Sequence, residues 1–180
     1  MAVVLITHEE SQTVMEAFLK LGHESYSCDL LRCSGKYPKR HLQMDCFEAI
    51  KLIKPDFLGM HPECTRLTVA ANKYYKPEYS QRFPTIHEER ERAIIHFLQC
   101  TEELKRIGKG YIENPIGIMS KIYEKPTQII QPYMFGDPER KSTCLWIKGL
   151  PKLVHTKEDN LFEHKTHVKP DIIIHKSGRT

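Results

Sequence analysis

Long apolar runs are missing from this chain of 180 residues. No stretch of eighteen or more apolar residues occurs, so no segment is expected to span a membrane. The N-terminus, Met1-Ala2-Val3-Val4-Leu5-Ile6-Thr7, lacks the length and the charged start of a signal peptide and reads as a buried first strand. CxxC pairs are missing too. The six cysteines, Cys28, Cys33, Cys46, Cys64, Cys100 and Cys144, have spacings that match no standard zinc pattern. No metal is expected. Without an export signal they read as reduced thiols of a cytoplasmic protein, several on apolar faces where cysteine acts as a small hydrophobe. No internal repeat or low-complexity tract is visible.

What is present is an ordinary globular balance, 40% apolar and 28% charged residues, in a length that suits one domain with one core. Net charge is +4 with ten histidines counted neutral, a mild basic bias. It is compatible with a nucleic-acid or nucleotide partner and equally with a mixed solvated surface. The tail histidines His155, His164, His167 and His175 are irregularly spaced and unsupported by cysteine, which argues against a metal there.

Hydrophobic periodicity alternates between strand and helix. Residues 3–7 form a short apolar run, and residues 10–21 carry Val14, Ala17, Phe18 and Leu21 at helical spacing before Gly22. A strand follows from Glu24 to Cys28, ending at Asp29, then a helix over 46–54 and a strand over 56–60. Residues 65–85 read as an irregular connection rich in aromatics (Tyr74, Tyr75, Tyr79, Phe83), of the kind that forms a lid or binding loop. The longest helix is predicted over 86–107, closed by Gly108, followed by strands at 111–115, 128–131 and 143–147. Such alternation predicts an α/β fold, a doubly wound, mostly parallel Rossmann-like sheet with helices on both faces. The domain is expected over 1–153, with a polar extension over 154–180. Ligands of such sheets bind at the carboxyl ends of the strands, where Asp29, His61 to Thr65 and Glu113 to Pro115 fall.

Three clusters there carry chemistry. Met60-His61-Pro62-Glu63-Cys64-Thr65 puts a thiol on a tight turn after a buried strand, where a neighbouring cation would make it a nucleophile and burial alone an inert thiol. Ile112-Glu113-Asn114-Pro115 fixes a carboxylate and an amide at a strand end, able to hold the polar edge of a heterocyclic base or simply to form a turn. Phe135-Gly136-Asp137-Pro138-Glu139-Arg140-Lys141 sets two cations before a strand, suited to a phosphate or to solvent.

In their order these motifs resemble those of cytosine-5 DNA methyltransferases, and more closely those of short phage-encoded methyltransferase-like proteins. The likeness rests on Glu9-x-Ser11, Gly22-His23, Ser27-Cys28-Asp29, His61-Pro62-x-Cys64-Thr65, Glu113-Asn114-Pro115 and Cys144-Leu145-Trp146-x-Lys148-Gly149-Leu150-Pro151. It implies a methyltransferase-type fold in which Cys64 adds to C6 of a pyrimidine, Glu113 binds its N3 edge and Arg140 supports the site. It also implies S-adenosylmethionine at the turn of Thr7, Glu9 and Ser11, with Asp29 on the ribose and Asp45 on the adenine. His61, Thr65, Asn114 and Lys141 complete the implied substrate contacts. The implied partner is DNA, its base flipped out of the duplex, or a free nucleotide, in the host cytoplasm for a phage protein. A second copy would be a plausible source of missing recognition surface.

Two features of this chain bear on that expectation. The first-strand turn Thr7-His8-Glu9-Glu10-Ser11 has no glycine, and Glu63 directly precedes Cys64, where an acid raises the thiol's pKa. A protein that holds a nucleotide-like ligand on the same scaffold without turning it over is therefore the alternative. A hydrolase using Glu113 or Glu63 as acid or base has no motif behind it.

Overall fold

Val3–Thr7 (β1) is apolar without alternation because it is buried on both sides, as an interior strand of a seven-stranded sheet. The computed structural model describes residues 1–80 and 82–156. Around β1 the chain adds α1 (Thr13–Lys20), β2 (Glu24–Asp29), β3 (His41–Gln43), α2 (Cys46–Ile53) and β4 (Phe57–Met60). It continues with α3 (Pro77–Ser80), α4 (Ile86–Ile107), β5 (Gly110–Pro115), α5 (Met119–Ile122), β6 (Gln128–Ile130) and β7 (Thr143–Lys148). The order across the sheet is β3-β2-β1-β4-β5-β7-β6. The first five strands are parallel, while β7 runs antiparallel to both β5 and β6.

Helices cover both faces, as the alternating pattern predicts. On one, α1 sets Met15 and Phe18 against Val4, Ile6 and Phe57. On the other, α2 and α4 pack Ala49, Ile50, Phe97 and Leu104 over Leu5, Leu58, Ile112 and Trp146. The Phe97 and Trp146 rings meet edge-on at 5.1 Å, and the indole N–H donates to the Glu124 carbonyl at 2.9 Å, so the largest side chain of β7 is both packed and satisfied. Helix α4 has the predicted limits and ends at Gly108, whose φ of 79° lies in the left-handed region that favours glycine.

Sequence reading misses β3, whose three residues are too few to show a period. It also takes residues 65–85 for irregular chain, where the structure has a 3-10 turn over Val69–Tyr75 and the short α3. Thr68 caps that turn, its hydroxyl accepting from the Ala71 N–H. Such tight turns bury little, here Ala71, and leave no apolar stripe to read. At the outer strand, the Gln128 side chain exchanges two hydrogen bonds with the backbone of Leu153, at 2.9 and 2.8 Å. The expected extension over 154–180 lies outside the described residues from 157 onward. Among the described residues, no helix is long and apolar enough to cross a membrane.

The start of α1 has an unusual cap. Gln12 stands at its N-cap with a left-handed φ of 63° and no capping side-chain bond. Its amide instead links Ser27 and the backbone of Tyr37. The helix N–H groups of Val14 and Met15 are taken by the carboxylate of Glu9, three residues before Gln12 and almost fully buried. Loss of a side-chain cap costs about 1 kcal/mol, and up to about 2 where the helix end is buried. Glu9→Ala is therefore expected to lower the free energy of unfolding by roughly 1–2 kcal/mol, read from the midpoint of urea denaturation.

Candidate functional site

Strand pairing sets the site. Thr7 of β1 is level with Cys28 of β2 and with Met60 of β4, and Met60 is level with Ile112 of β5. One residue further on, in the order of the strands, stand Asp29, His8, His61 and Glu113. Four polar side chains thus share the carboxyl edge of the parallel strands, where ligands of such sheets bind.

The turn after β4 is held from β5. The Asn114 side chain, buried on the α4 face, donates to the Pro62 carbonyl at 2.8 Å. Asn114 therefore fixes the approach to Cys64 from within the protein. The Cys64 carbonyl accepts from Leu67 and Thr68 at 2.9 and 3.1 Å, closing a tight turn that leaves Cys64 half-buried and Thr65 exposed. Gly59 clears the path beside it: a Cβ there would stand 2.7 Å from the Ile6 side chain and 3.1 Å from the Tyr111 ring. The Tyr111 ring leans over β4, and its hydroxyl meets His61 Nε2 at 3.0 Å. Burial, with His8 adding, lowers the His61 pKa to about 4, so the imidazole is neutral at pH 7.

Glu113 shares its face of β5 with Tyr111. It lines a largely apolar cavity of about 430 Å³ together with Phe18, Phe57, His61, Tyr111 and Leu150. Burial pushes its carboxyl above the usual carboxylate range, opposed by the Lys141 ammonium. The Cys64 thiol is also pushed up, first by burial and then by the Glu113 charge; Lys141 pulls it down and Glu63 adds a smaller upward push. Cys64, Glu113 and Lys141 are thus within electrostatic reach of one another. Arg140, the expected cation, and Lys141 are both exposed, and of the two only Lys141 acts on Cys64 and Glu113. The upward effect foreseen for Glu63 is present, but Glu113 and burial outweigh it.

The residues expected to hold a cofactor divide into two groups. Glu9 caps α1, and Asp45 caps α2 by accepting from Phe47 and Glu48 at 2.8 and 3.3 Å. Thr7 is buried, its hydroxyl 3.0 Å from His8 Nδ1, and Ser11 is exposed beside Thr13. Asp29 stands at the end of β2, one carboxylate oxygen accepting from the Leu31 N–H at 2.8 Å. Leu30 and Leu31 follow it into solvent, 72% and 63% exposed.

Sequence reading gave chemical surroundings to Cys64 alone, but the structure adds two more cysteines. His8, Cys46, His96 and Cys100 bring their ligating atoms within 4.8 Å of one another. His96 and Cys100 stand four apart on one face of α4, a spacing legible in the sequence; their meeting with His8 and Cys46 depends on the fold. The Cys46 thiol is pulled well below its ordinary value by hydrogen bonds from Cys100, His8 and His96, against the opposing effect of burial.

The aromatics of the 65–85 segment pack mainly on one another. Tyr74 meets Tyr79 and Phe83 edge-on at 5.9 and 5.8 Å. Tyr75 lies under the Arg90 guanidinium at 3.9 Å and donates to the Arg66 carbonyl. Arg66 pairs with Glu89 of α4, which joins the segment to that helix. Of the tail histidines, His155 touches the Phe135 ring at 6.3 Å, and His164, His167 and His175 lie outside the described residues.

A carboxyl raised by folding binds its proton more tightly in the native state. The stability linked to Glu113 is therefore full below its unfolded value, near 4.5, and is lost as pH rises through the higher native value. Glu113→Gln removes this loss. The difference in stability between variant and parent is expected to grow in the variant's favour from pH 4 to pH 7, as read by thermal melts across that range. A constant difference would show that Glu113 is not held toward its acid form.

Compared with models of known protein families and with curated proteins, the chain matches none.

Proposed function

We propose that this chain is a methyltransferase-like protein that holds a pyrimidine base of DNA or of a nucleotide, with S-adenosylmethionine as methyl donor. The observation that carries the reading is Glu113, a carboxyl biased toward its acid form at a strand end, within electrostatic reach of Cys64 and Lys141. A protonated carboxyl donates a hydrogen bond to a ring nitrogen such as N3 of cytosine, which an ionised one does not. The sheet also fits a methyltransferase-type fold, with its reversed β7 inserted between β5 and β6.

The same pair explains how a raised thiol becomes a nucleophile. Whenever Glu113 is ionised, its charge is the second cause that keeps the Cys64 proton on. Once Glu113 is protonated and donating to the base, that repulsion is gone and Lys141 acts on the thiol without its opponent. Cys64 then gives up its proton to solvent more readily, and the thiolate adds to C6 as the C5–C6 π bond breaks, its electron pair moving onto C5 and toward N3, where the Glu113 hydrogen bond stabilises it. Base binding and thiol activation are coupled through one proton. Asn114 keeps the Cys64 turn in place through Pro62, and neutral His61 with Tyr111 forms the cavity wall.

S-adenosylmethionine, when bound, supplies an electrophilic methyl group. The end of β2 fits it, with Asp29 for the ribose hydroxyls and Leu30 and Leu31 against the ring system. One observation favours a second reading, a binder that does not turn its ligand over: Glu9 fills the N-terminus of α1, so that helix end has no free N–H groups for a ligand at Val14 and Met15.

Calorimetric titration with S-adenosylmethionine and its demethylated product separates the two. Micromolar binding that is lost in Asp29→Ala supports the enzyme; no heat at millimolar ligand sinks it and leaves the nucleotide binder. In the first case an oligonucleotide carrying 5-fluorocytosine is expected to form a covalent adduct, visible by mass spectrometry, which Cys64→Ser abolishes.

A further inference from the structure

We propose that His8, Cys46, His96 and Cys100 form a structural zinc site that fastens the end of β1 to α2 and α4. This inference does not depend on the methyltransferase reading, which gives none of the four residues a contact with base or methyl donor.

Three elements converge to make the cluster. His8 follows the last residue of β1 and has a left-handed φ of 59°, which breaks the extended conformation there. Cys46 is the first residue of α2, behind the Asp45 cap, where helix N–H groups favour a thiolate. His96 and Cys100 sit one turn apart on α4. Cys46 is 6% exposed and Cys100 not at all, while the two histidines are half-buried.

The ligand set and its dimensions fit zinc. Two sulfurs and two imidazole nitrogens are a common structural zinc set, with bonds of about 2.3 Å to sulfur and about 2.0–2.1 Å to nitrogen, hence tetrahedron edges of roughly 3.3–3.8 Å. Here all four atoms lie within 4.8 Å of one another, and the two Nε2 atoms are 2.9 Å apart. An ion at the centre needs the longest separation to shrink by roughly 1 Å and the histidines to part by a few tenths. Thiolate ligands exclude magnesium and calcium. Four protein ligands leave no open position, the mark of a structural rather than a catalytic site.

The surroundings are also those of a ligated histidine. The Thr7 hydroxyl lies 3.0 Å from His8 Nδ1, placed to accept from an N–H there when the Nε2 lone pair is given to the metal. The Phe47 ring packs edge-on against His96 at 5.4 Å and shields that side. On binding, a divalent zinc ion displaces two protons from the four side chains, and both leave to solvent. Two thiolates, two neutral imidazoles and the ion then sum to zero charge, a composition that a half-buried site tolerates.

The test is elemental analysis of the chain expressed without a histidine tag in zinc-supplemented medium and desalted. One zinc per chain is expected, lost in the double variant C46S/C100S and kept in Cys33→Ser, whose thiol lies outside the cluster. Because the double variant can fail to fold, the parent chain is also stripped with a chelator and titrated with cobalt(II). Visible ligand-field bands and near-ultraviolet thiolate-to-cobalt absorption are expected to saturate at one equivalent and to vanish when zinc is added. Three results would overturn the site: a zinc-free chain with no cobalt–thiolate absorption, a zinc content unmoved in the double variant, or a Cys46–Cys100 disulfide seen as the loss of two hydrogens in the intact mass.

Discussion

Pairing of β1 on both sides is the constraint on which the rest depends. Because Thr7 is level with Cys28 and with Met60, the chain leaves three neighbouring strands at one height, and β5 joins them through Met60 and Ile112. A slip of one residue in any pairing would send the next side chain to the opposite face. Asp29, His8, His61 and Glu113 share an edge only while all these registers hold. The register is specified by burial on both faces: Leu5 and Ile6 point in opposite directions and both are fully covered.

Polar side chains at that edge are held mostly by main-chain groups. Glu9 ends α1, Asp45 starts α2, Asn114 anchors the Pro62 carbonyl and Gln12 ties β2 to the loop before β3. Glu9, Gln12 and Asn114 are buried, and their hydrogen bonds offset the cost of leaving water; Asp45 is exposed. What remains for a ligand is a shorter set: Cys64, Glu113 and Lys141 on one side of the edge, Asp29 with its exposed leucines on the other. This division between structural and available groups cannot be read from spacing, because both kinds occupy the same strand-end positions in the sequence.

Much of the fold was legible. The strands at 3–7, 24–29 and 143–147 and the helix over 86–107 follow from apolar runs and helical spacing long enough to show a period, with glycine closing both α1 and α4. The reversal of β7 and the pairing of β3 were not legible, since direction and partner depend on how connections cross the sheet. Cys64 and Glu113 stand out in the sequence because one follows a buried strand and the other lies near the end of one. Lys141 rather than Arg140 as the neighbouring cation, and the gathering of His8, Cys46, His96 and Cys100, depend on contacts between residues up to 92 positions apart. Within that group only His96 and Cys100 carry a local signal.

The hydrogen bonds between Gln128 and Leu153 bear on how the molecule behaves among its own copies. The outermost strand β6 is short and lies at the margin of the sheet, where a row of main-chain groups is a template for another chain. Gln128 keeps the backbone of Leu153 beside that margin with one donated and one accepted bond, in the manner of a neighbouring strand. A single amide side chain thus acts as a guard against edge-to-edge aggregation, and the three-residue length of the strand limits what any intruding segment gains by pairing there.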